Sequence, residues 1–129
     1  MTLSALAALL FALLSLGVCA FQLALILGAP WGEFTLGGKW RGALPRRARW
    51  IPFISLLVFA GLVLIVLAGS GFALTAYQAQ AQTWIWGVVG YCALGCVLNA
   101  ITPSRRERVI WLPVVLGLFA SSLSVALLP

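Results

Sequence analysis

The stretch IPFISLLVFAGLVLIVLAGSGFA, residues 51–73, is almost continuously apolar and has no charged side chain. A helix that crosses a bilayer needs about 20 mostly apolar residues, so this stretch is long enough to span one. Three more runs of this kind account for most of the remaining chain: residues 3–27, 84–101 and 109–128. The sequence therefore predicts an all-α polytopic membrane protein, a single domain over residues 1–129 with four transmembrane helices in two hairpins.

The composition also favours the bilayer as the solvent of this chain. Only 8% of the 129 residues are charged, and the mean hydropathy is +1.14. Soluble domains carry about 25% charged residues, so this chain has too little polar material to cover a surface in water. The four runs also leave no room for a separate soluble domain.

The positive charges are confined to two of the connections between the spans. One basic group follows the first span and the other follows the third: Lys39, Arg41, Arg46, Arg47 and Arg49, then Arg105, Arg106 and Arg108. Lysine and arginine concentrate in cytoplasmic loops, so we expect both connections to be cytoplasmic and both termini to lie outside. The net charge of +6 is thereby explained by topology, and we expect no nucleic-acid partner.

Two segments at these connections resemble each other. Residues 45–52 and 103–113 each contain a proline, a paired arginine, a tryptophan and a closing proline. A duplicated hairpin would produce this similarity, and so would convergence, because basic residues and an interfacial tryptophan suit the start of any such helix. In the second segment, Ser104 and Glu107 have the spacing of a helix capping box, which explains the acid without assigning it a functional role.

Aromatic residues lie near the predicted helix ends. Trp50 and Trp111 are expected at the cytoplasmic interface, and Trp84, Trp86 and Tyr77 at the outer one. Tryptophan and tyrosine rings prefer the level of the lipid headgroups, so we interpret these residues as anchors.

The predicted spans contain no Asp, Glu, Lys, Arg or His. Ionisable residues inside a membrane usually mark transport or proton relay, so their absence disfavours a proton-coupled exporter, a His-ligated haem protein and a His-dependent hydrolase. We expect no enzyme activity, no catalytic residue, no metal site and no cofactor. The amides of Gln22 and Asn99 are interpreted as hydrogen-bonding groups between helices, with a small polar cavity as the alternative. Cys92 and Cys96 are interpreted as small buried residues.

The connection at residues 28–50 is too long for a simple turn and too apolar for disorder. Loops of this length usually have a function or are disordered, but Phe34, Leu36 and Leu44 favour burial. We therefore predict an ordered cytoplasmic loop at the interface, in which Glu33 pairs with a cation of the same loop. The alternative is a site for an anionic headgroup or another ligand, formed by Trp31, Glu33, Lys39, Trp40, Arg41, Arg46, Arg47 and Arg49. The segment GEFTLGGK (residues 32–39) lacks the Ser/Thr of a phosphate-binding loop, and no strand precedes it.

The motifs GAPWGEFTLGG (residues 28–38) and TPSRRERVIWLPV (residues 102–114) resemble signatures of uncharacterised, small, four-span bacterial membrane proteins. The resemblance implies a multi-pass protein of the bacterial cytoplasmic (inner) membrane, and it implies no activity.

Two functions therefore follow as expectations. The first is a non-enzymatic integral membrane protein that binds a lipid headgroup, a small ligand or a partner at its cytoplasmic interface, with anionic membrane lipids as expected partners. The second is an oligomeric channel, a permease component or a holin-like pore, which would require a homo-oligomer because four uncharged helices enclose little room.

Overall fold

The computed structural model describes residues 1–128, and in these residues it contains four long α-helices. The helices are α1 (Leu3–Ile26), α2 (Trp50–Gly69), α3 (Gln78–Ile101) and α4 (Arg105–Leu127). Each is long and apolar enough to cross a membrane. The predicted fold class, four apolar helices packed as two hairpins, is confirmed.

Two helices start earlier than the apolar runs suggested. α3 begins at Gln78, where the sequence predicted residue 84, because its first turn is polar but still helical. α4 begins at Arg105, before the apolar run that starts at residue 109 and directly after the serine that the capping-box spacing indicated. Its start is fixed by Ser104, whose Oγ accepts a hydrogen bond from the backbone N–H of Glu107 at 3.2 Å. Hydropathy marks the apolar part of a helix, and the helix itself continues to its cap.

The helices form a ring in which each packs against two neighbours. α1 contacts α2 and α4, and α3 contacts the same two helices, so α1 and α3 occupy opposite corners. The centre is filled by fully buried side chains from all four helices: Phe11, Val66, Ile85, Val88 and Leu118. Large apolar side chains such as Leu13 and Leu57 are exposed on the outside, as expected where lipid is the solvent.

α1 and α4 approach closely at a glycine. A Cβ atom added at Gly117 would lie 2.8 Å from Leu14 Cδ1 of α1. One turn later the hydroxyl of Ser121 donates to the carbonyl of Gly117 at 2.7 Å, so this buried polar group is satisfied within its own helix. Two glycines of α3 do not mark a close approach, because added Cβ atoms at Gly87 and Gly90 would meet nothing within 4 Å among the described residues.

Both basic connections lie at one end of the bundle. Loop 28–49 joins α1 to α2, and the turn at residues 102–104 joins α3 to α4. We call this the basic end. The opposite end holds the uncharged connection at residues 70–77 and the start of α1. Two basic segments that are far apart in sequence therefore meet in space.

Candidate functional site

Loop 28–49 folds back on itself at a glycine. The backbone N–H of Gly32 donates to the carbonyl of Gly42 at 2.8 Å, which closes the loop. A Cβ atom added at Gly32 would lie 2.5 Å from the Trp40 carbonyl oxygen and 2.6 Å from that of Gly42. Only glycine therefore fits this crossing. The side chain of Leu44 is 1% exposed, so the loop also buries an apolar residue.

The start of α4 holds the loop in place through polar contacts. One carboxylate oxygen of Glu107, Oε2, accepts hydrogen bonds from the Gly37 N–H at 2.9 Å and from the Thr102 hydroxyl at 3.2 Å. The Ser104 hydroxyl donates to the Glu33 carbonyl at 3.0 Å. The predicted capping box is thus present on the serine side only. The carboxylate of Glu107 binds the loop and the preceding threonine, where the motif predicted the backbone N–H of Ser104.

Aromatic side chains provide a second attachment. The indole Nε1 of Trp111 donates to the Phe34 carbonyl at 2.8 Å. The Phe21 ring of α1 packs edge-on against Trp111, with centroids 4.7 Å apart, and stacks on Trp31 at 6.0 Å. Trp111, interpreted from sequence as a membrane anchor, also joins the first loop to both hairpins.

Glu33 pairs with a cation of the other basic segment. Its Oε1 accepts a hydrogen bond from Nη1 of Arg106 at 2.7 Å, and the side chain of Arg106 is 65% exposed. The sequence predicted that Glu33 would pair with a cation of its own loop, and this prediction was wrong, because the partner is Arg106 of α4. Exposed ion pairs contribute about 0–1 kcal/mol to stability. This contact therefore stabilises the fold little, and its main effect is to hold Glu33 and Arg106 together between the two basic segments.

A cleft of about 350 Å³ lies between the two basic segments. Its lining contains three arginines and one glutamate, together with the glycines of the loop and the cap of α4: Glu33, Gly37, Gly38, Arg41, Pro103, Ser104, Arg105 and Arg106. We call it the inter-loop cleft. The first backbone N–H groups of a helix have no partner within that helix, and those of Arg105 and Arg106 find none among residues 1–128.

Some of the candidate residues named from sequence line the inter-loop cleft, and the others do not. Glu33 and Arg41 line the inter-loop cleft, whereas Trp31 does not, since it stacks on Phe21. Lys39 lies over the ring of Trp40 at 4.8 Å. Arg49 Nε donates to the Leu44 carbonyl at 3.0 Å, which makes it part of the loop's own structure.

The arginines that line the cleft are not all the ones that the sequence suggested. Arg46 and Arg47 are exposed in a short turn before α2 and do not line the cleft. Arg105 and Arg106, which were not among the candidate residues, do line it. The signal that could have pointed to them is the paired arginine of residues 103–113, read as a mark of duplication.

Two polar side chains near the end of α3, Asn99 and Cys96, contact backbone carbonyls. Asn99 Nδ2 donates to the Gly95 carbonyl of its own helix at 2.7 Å, where a bond between helices was expected. The thiol of Cys96 lies 3.4 Å from the Val115 carbonyl of α4. Within residues 1–128, all three cysteines are free, and no cluster of three or more His, Cys, Asp and Glu side chains could hold a metal ion.

Comparisons with known proteins were made at three levels. The chain matches no protein-family model, no curated protein and no solved structure.

Proposed function

We propose that this chain is a non-enzymatic, multi-pass protein of a bacterial cytoplasmic membrane that binds an anionic phospholipid headgroup in the inter-loop cleft. One observation carries the proposal. Arg41 from the first loop and Arg105 and Arg106 from the second converge on one cleft at the end of α4 where free N–H groups lie.

The chemistry of this lining suits a phosphate. Arginine presents its donors in a planar fork that matches phosphate oxygens, and the N-terminus of a helix favours an anion through its free N–H groups and its dipole. Glu33 is held by Arg106, which leaves Arg41 and Arg105 without an acid opposite them. A lipid phosphate is favoured over free phosphate because the cleft lies at the end of the spans, at the level of the headgroups.

Anionic lipid retained during native mass spectrometry provides the test. Arg41→Gln with Arg105→Gln removes two cleft charges and leaves the Glu33–Arg106 pair intact. Arg46→Gln with Arg47→Gln is the matched control, because it removes the same charge from the same end of the bundle. General attraction to an anionic surface falls by about 1 kcal/mol for each lost charge in both variants. We expect the cleft variant to lose at least about tenfold more retained phosphatidylglycerol than the control, a difference of about 1.4 kcal/mol.

Equal losses in the two variants would show that only general surface charge acts, and would contradict the proposal. Inorganic phosphate added in solution separates the two sources of the anion. A lipid site retains phosphatidylglycerol in competition with free phosphate, whereas a site for the free ion loses it.

We further propose that both basic segments face the cytoplasm. The meeting of these segments at one end of the bundle supports this orientation, because lysine and arginine concentrate on the cytoplasmic side. A reporter that is active only in the cytoplasm is expected to be inactive when fused after residue 128 and active when inserted near Ala43 in the first loop. The opposite pattern would overturn the orientation.

The oligomeric channel, permease component or holin-like pore stays a prediction of the sequence. Expression that abruptly permeabilises cells would favour it over headgroup binding.

A further inference from the structure

A cavity of about 250 Å³ lies inside the bundle, beneath the first loop. Its walls come from the half of each span that is nearest the basic end, and its roof comes from the loop. The lining residues are Val18, Phe21, Gln22, Phe34, Thr35, Phe59, Tyr91, Cys92, Leu94, Gly95, Leu98, Asn99, Glu107, Trp111, Val115 and Leu118. The space is partly open to the outside of the bundle, so a ligand could enter it.

The roof and one wall of the cavity are held by specific contacts. Trp111 is fixed by its 2.8 Å bond to the Phe34 carbonyl and by the edge-on Phe21 ring. On the side away from the loop, the rings of Phe59 and Tyr91 meet edge to face at 6.0 Å. These contacts brace the cavity against collapse.

The cavity is reached from the hydrocarbon side of the bundle. Leu94 and Leu98 belong to its lining, and they are 56% and 53% exposed on the outer surface of α3. These residues lie one turn apart on a membrane-spanning helix, so the surface they share with the cavity faces lipid. A ligand would therefore enter from the bilayer and must itself be soluble there.

Apart from Glu107, the polar groups in the lining are neutral, and most of their hydrogen-bonding capacity is unused. The amide of Gln22 and the hydroxyl of Tyr91 have no hydrogen-bond partner among residues 1–128, and Asn99 uses only one of its amide hydrogens there. Both amides can donate and accept. Glu107 is the only acidic side chain of the lining, and its carboxylate disfavours a phosphate in this cavity.

From this combination we propose that the cavity binds the head of a neutral, hydroxyl-bearing membrane lipid of the acylglycerol class. A hydroxyl both donates and accepts, so it can satisfy the amides of Gln22 and Asn99 together, while the acyl chain leaves between Leu94 and Leu98 into the bilayer. This site is separate from the inter-loop cleft, since the cleft takes an anion at the surface and the cavity takes an uncharged head below it.

Photolabelling in nanodiscs tests the site directly. The protein is placed in phosphatidylcholine with a photoactivatable diacylglycerol, and labelled residues are located by mass spectrometry. Gly95→Leu is expected to abolish labelling of the cavity lining, because an added Cβ there meets only Val115 Cγ1, at 3.9 Å, and the larger side chain fills the space. Gly90→Leu adds the same volume to the same helix where nothing lies within 4 Å, so its labelling should match that of the unaltered protein.

A second variant tests the hydrogen bonds without changing the fold. Gln22→Leu keeps a similar volume but removes a donor and an acceptor. It is expected to abolish the preference for photoactivatable diacylglycerol over a headless photoactivatable alkane. Arg41→Gln with Arg105→Gln should leave the labelling unchanged, which separates this proposal from the one for the cleft.

Three results would overturn the proposal. One is labelling confined to the outer lipid-facing surface, as a water-filled cavity would produce. Another is labelling of the cavity lining by photoactivatable phosphatidylglycerol that equals its labelling by diacylglycerol. The third is a preference for diacylglycerol that survives Gln22→Leu.

Discussion

Replacing Glu107 with alanine is expected to lower the free energy of unfolding by about 2–3 kcal/mol and to release loop 28–49 from the bundle. The Oε2 atom of Glu107 is the acceptor for both the Gly37 N–H and the Thr102 hydroxyl. Thr102 is 7% exposed. A buried donor that loses its acceptor costs about 1–3 kcal/mol, and hydrogen bonds to a charged group are among the stronger ones. The alanine variant therefore leaves both the Gly37 N–H and the Thr102 hydroxyl without their acceptor.

Denaturant unfolding in detergent micelles, together with limited proteolysis of the loop, measures this effect. Glu107→Gln retains a carbonyl oxygen as acceptor and should fall between alanine and the unaltered protein. Glu33→Gln is the control, because it removes the carboxylate of an exposed ion pair and should cost at most about 1 kcal/mol. If Glu107→Ala and Glu33→Gln had equal effects, the assigned role of Glu107 would be wrong.

The second large effect is expected at Gly32. Gly32→Ala places a Cβ atom against two backbone carbonyl oxygens, those of Trp40 and Gly42. Backbone atoms cannot move aside as the end of a flexible side chain can, so the crossing must open and the Gly32–Gly42 hydrogen bond is lost. Overpacking of this kind costs about 1–3 kcal/mol. Because Arg41 lies within the opened segment, we also expect retention of phosphatidylglycerol in the cleft to fall.

Gly17→Ala makes the same chemical change where the opposite result is expected. Gly17 lies in α1, and an added Cβ there meets nothing within 4 Å. Alanine in a helix is favoured over glycine by roughly 0.5–1 kcal/mol, so stability should be unchanged or raised. Protease sensitivity of the loop should rise only with Gly32→Ala. A stable, protease-resistant loop in that variant would contradict the crossing described for Gly32.

The sequence predicted the parts of the fold that depend on local composition. Apolar runs of sufficient length mark the spans because the bilayer requires them, and Ser104 marks the start of α4 because a cap acts within one turn. The runs did not mark the start of α3 at Gln78, since polar residues form a helix without contributing to hydropathy.

The site was less predictable, because its pairings depend on which segments meet in space. Arg106 lies 73 residues after Glu33, and nothing in the composition of either segment selects that partner over a cation of the same loop. The amide of Asn99 turns to its own helix because the Gly95 carbonyl is within reach one turn earlier. Gln22 was given a polar cavity only as an alternative interpretation; it lines the cavity beneath the first loop, whose walls are mostly apolar.

The attachment of the first loop to α4 also has a consequence for biosynthesis. Glu107 lies 70 residues after Gly37, and Trp111 lies 77 residues after Phe34. Ribosomes add about 5–20 residues each second, so about 4–15 seconds separate the synthesis of the loop from that of its partners. Until α4 has been made, the first loop therefore has no place to dock. A protease or chaperone at the membrane would therefore meet the nascent chain in a form that the finished protein never presents.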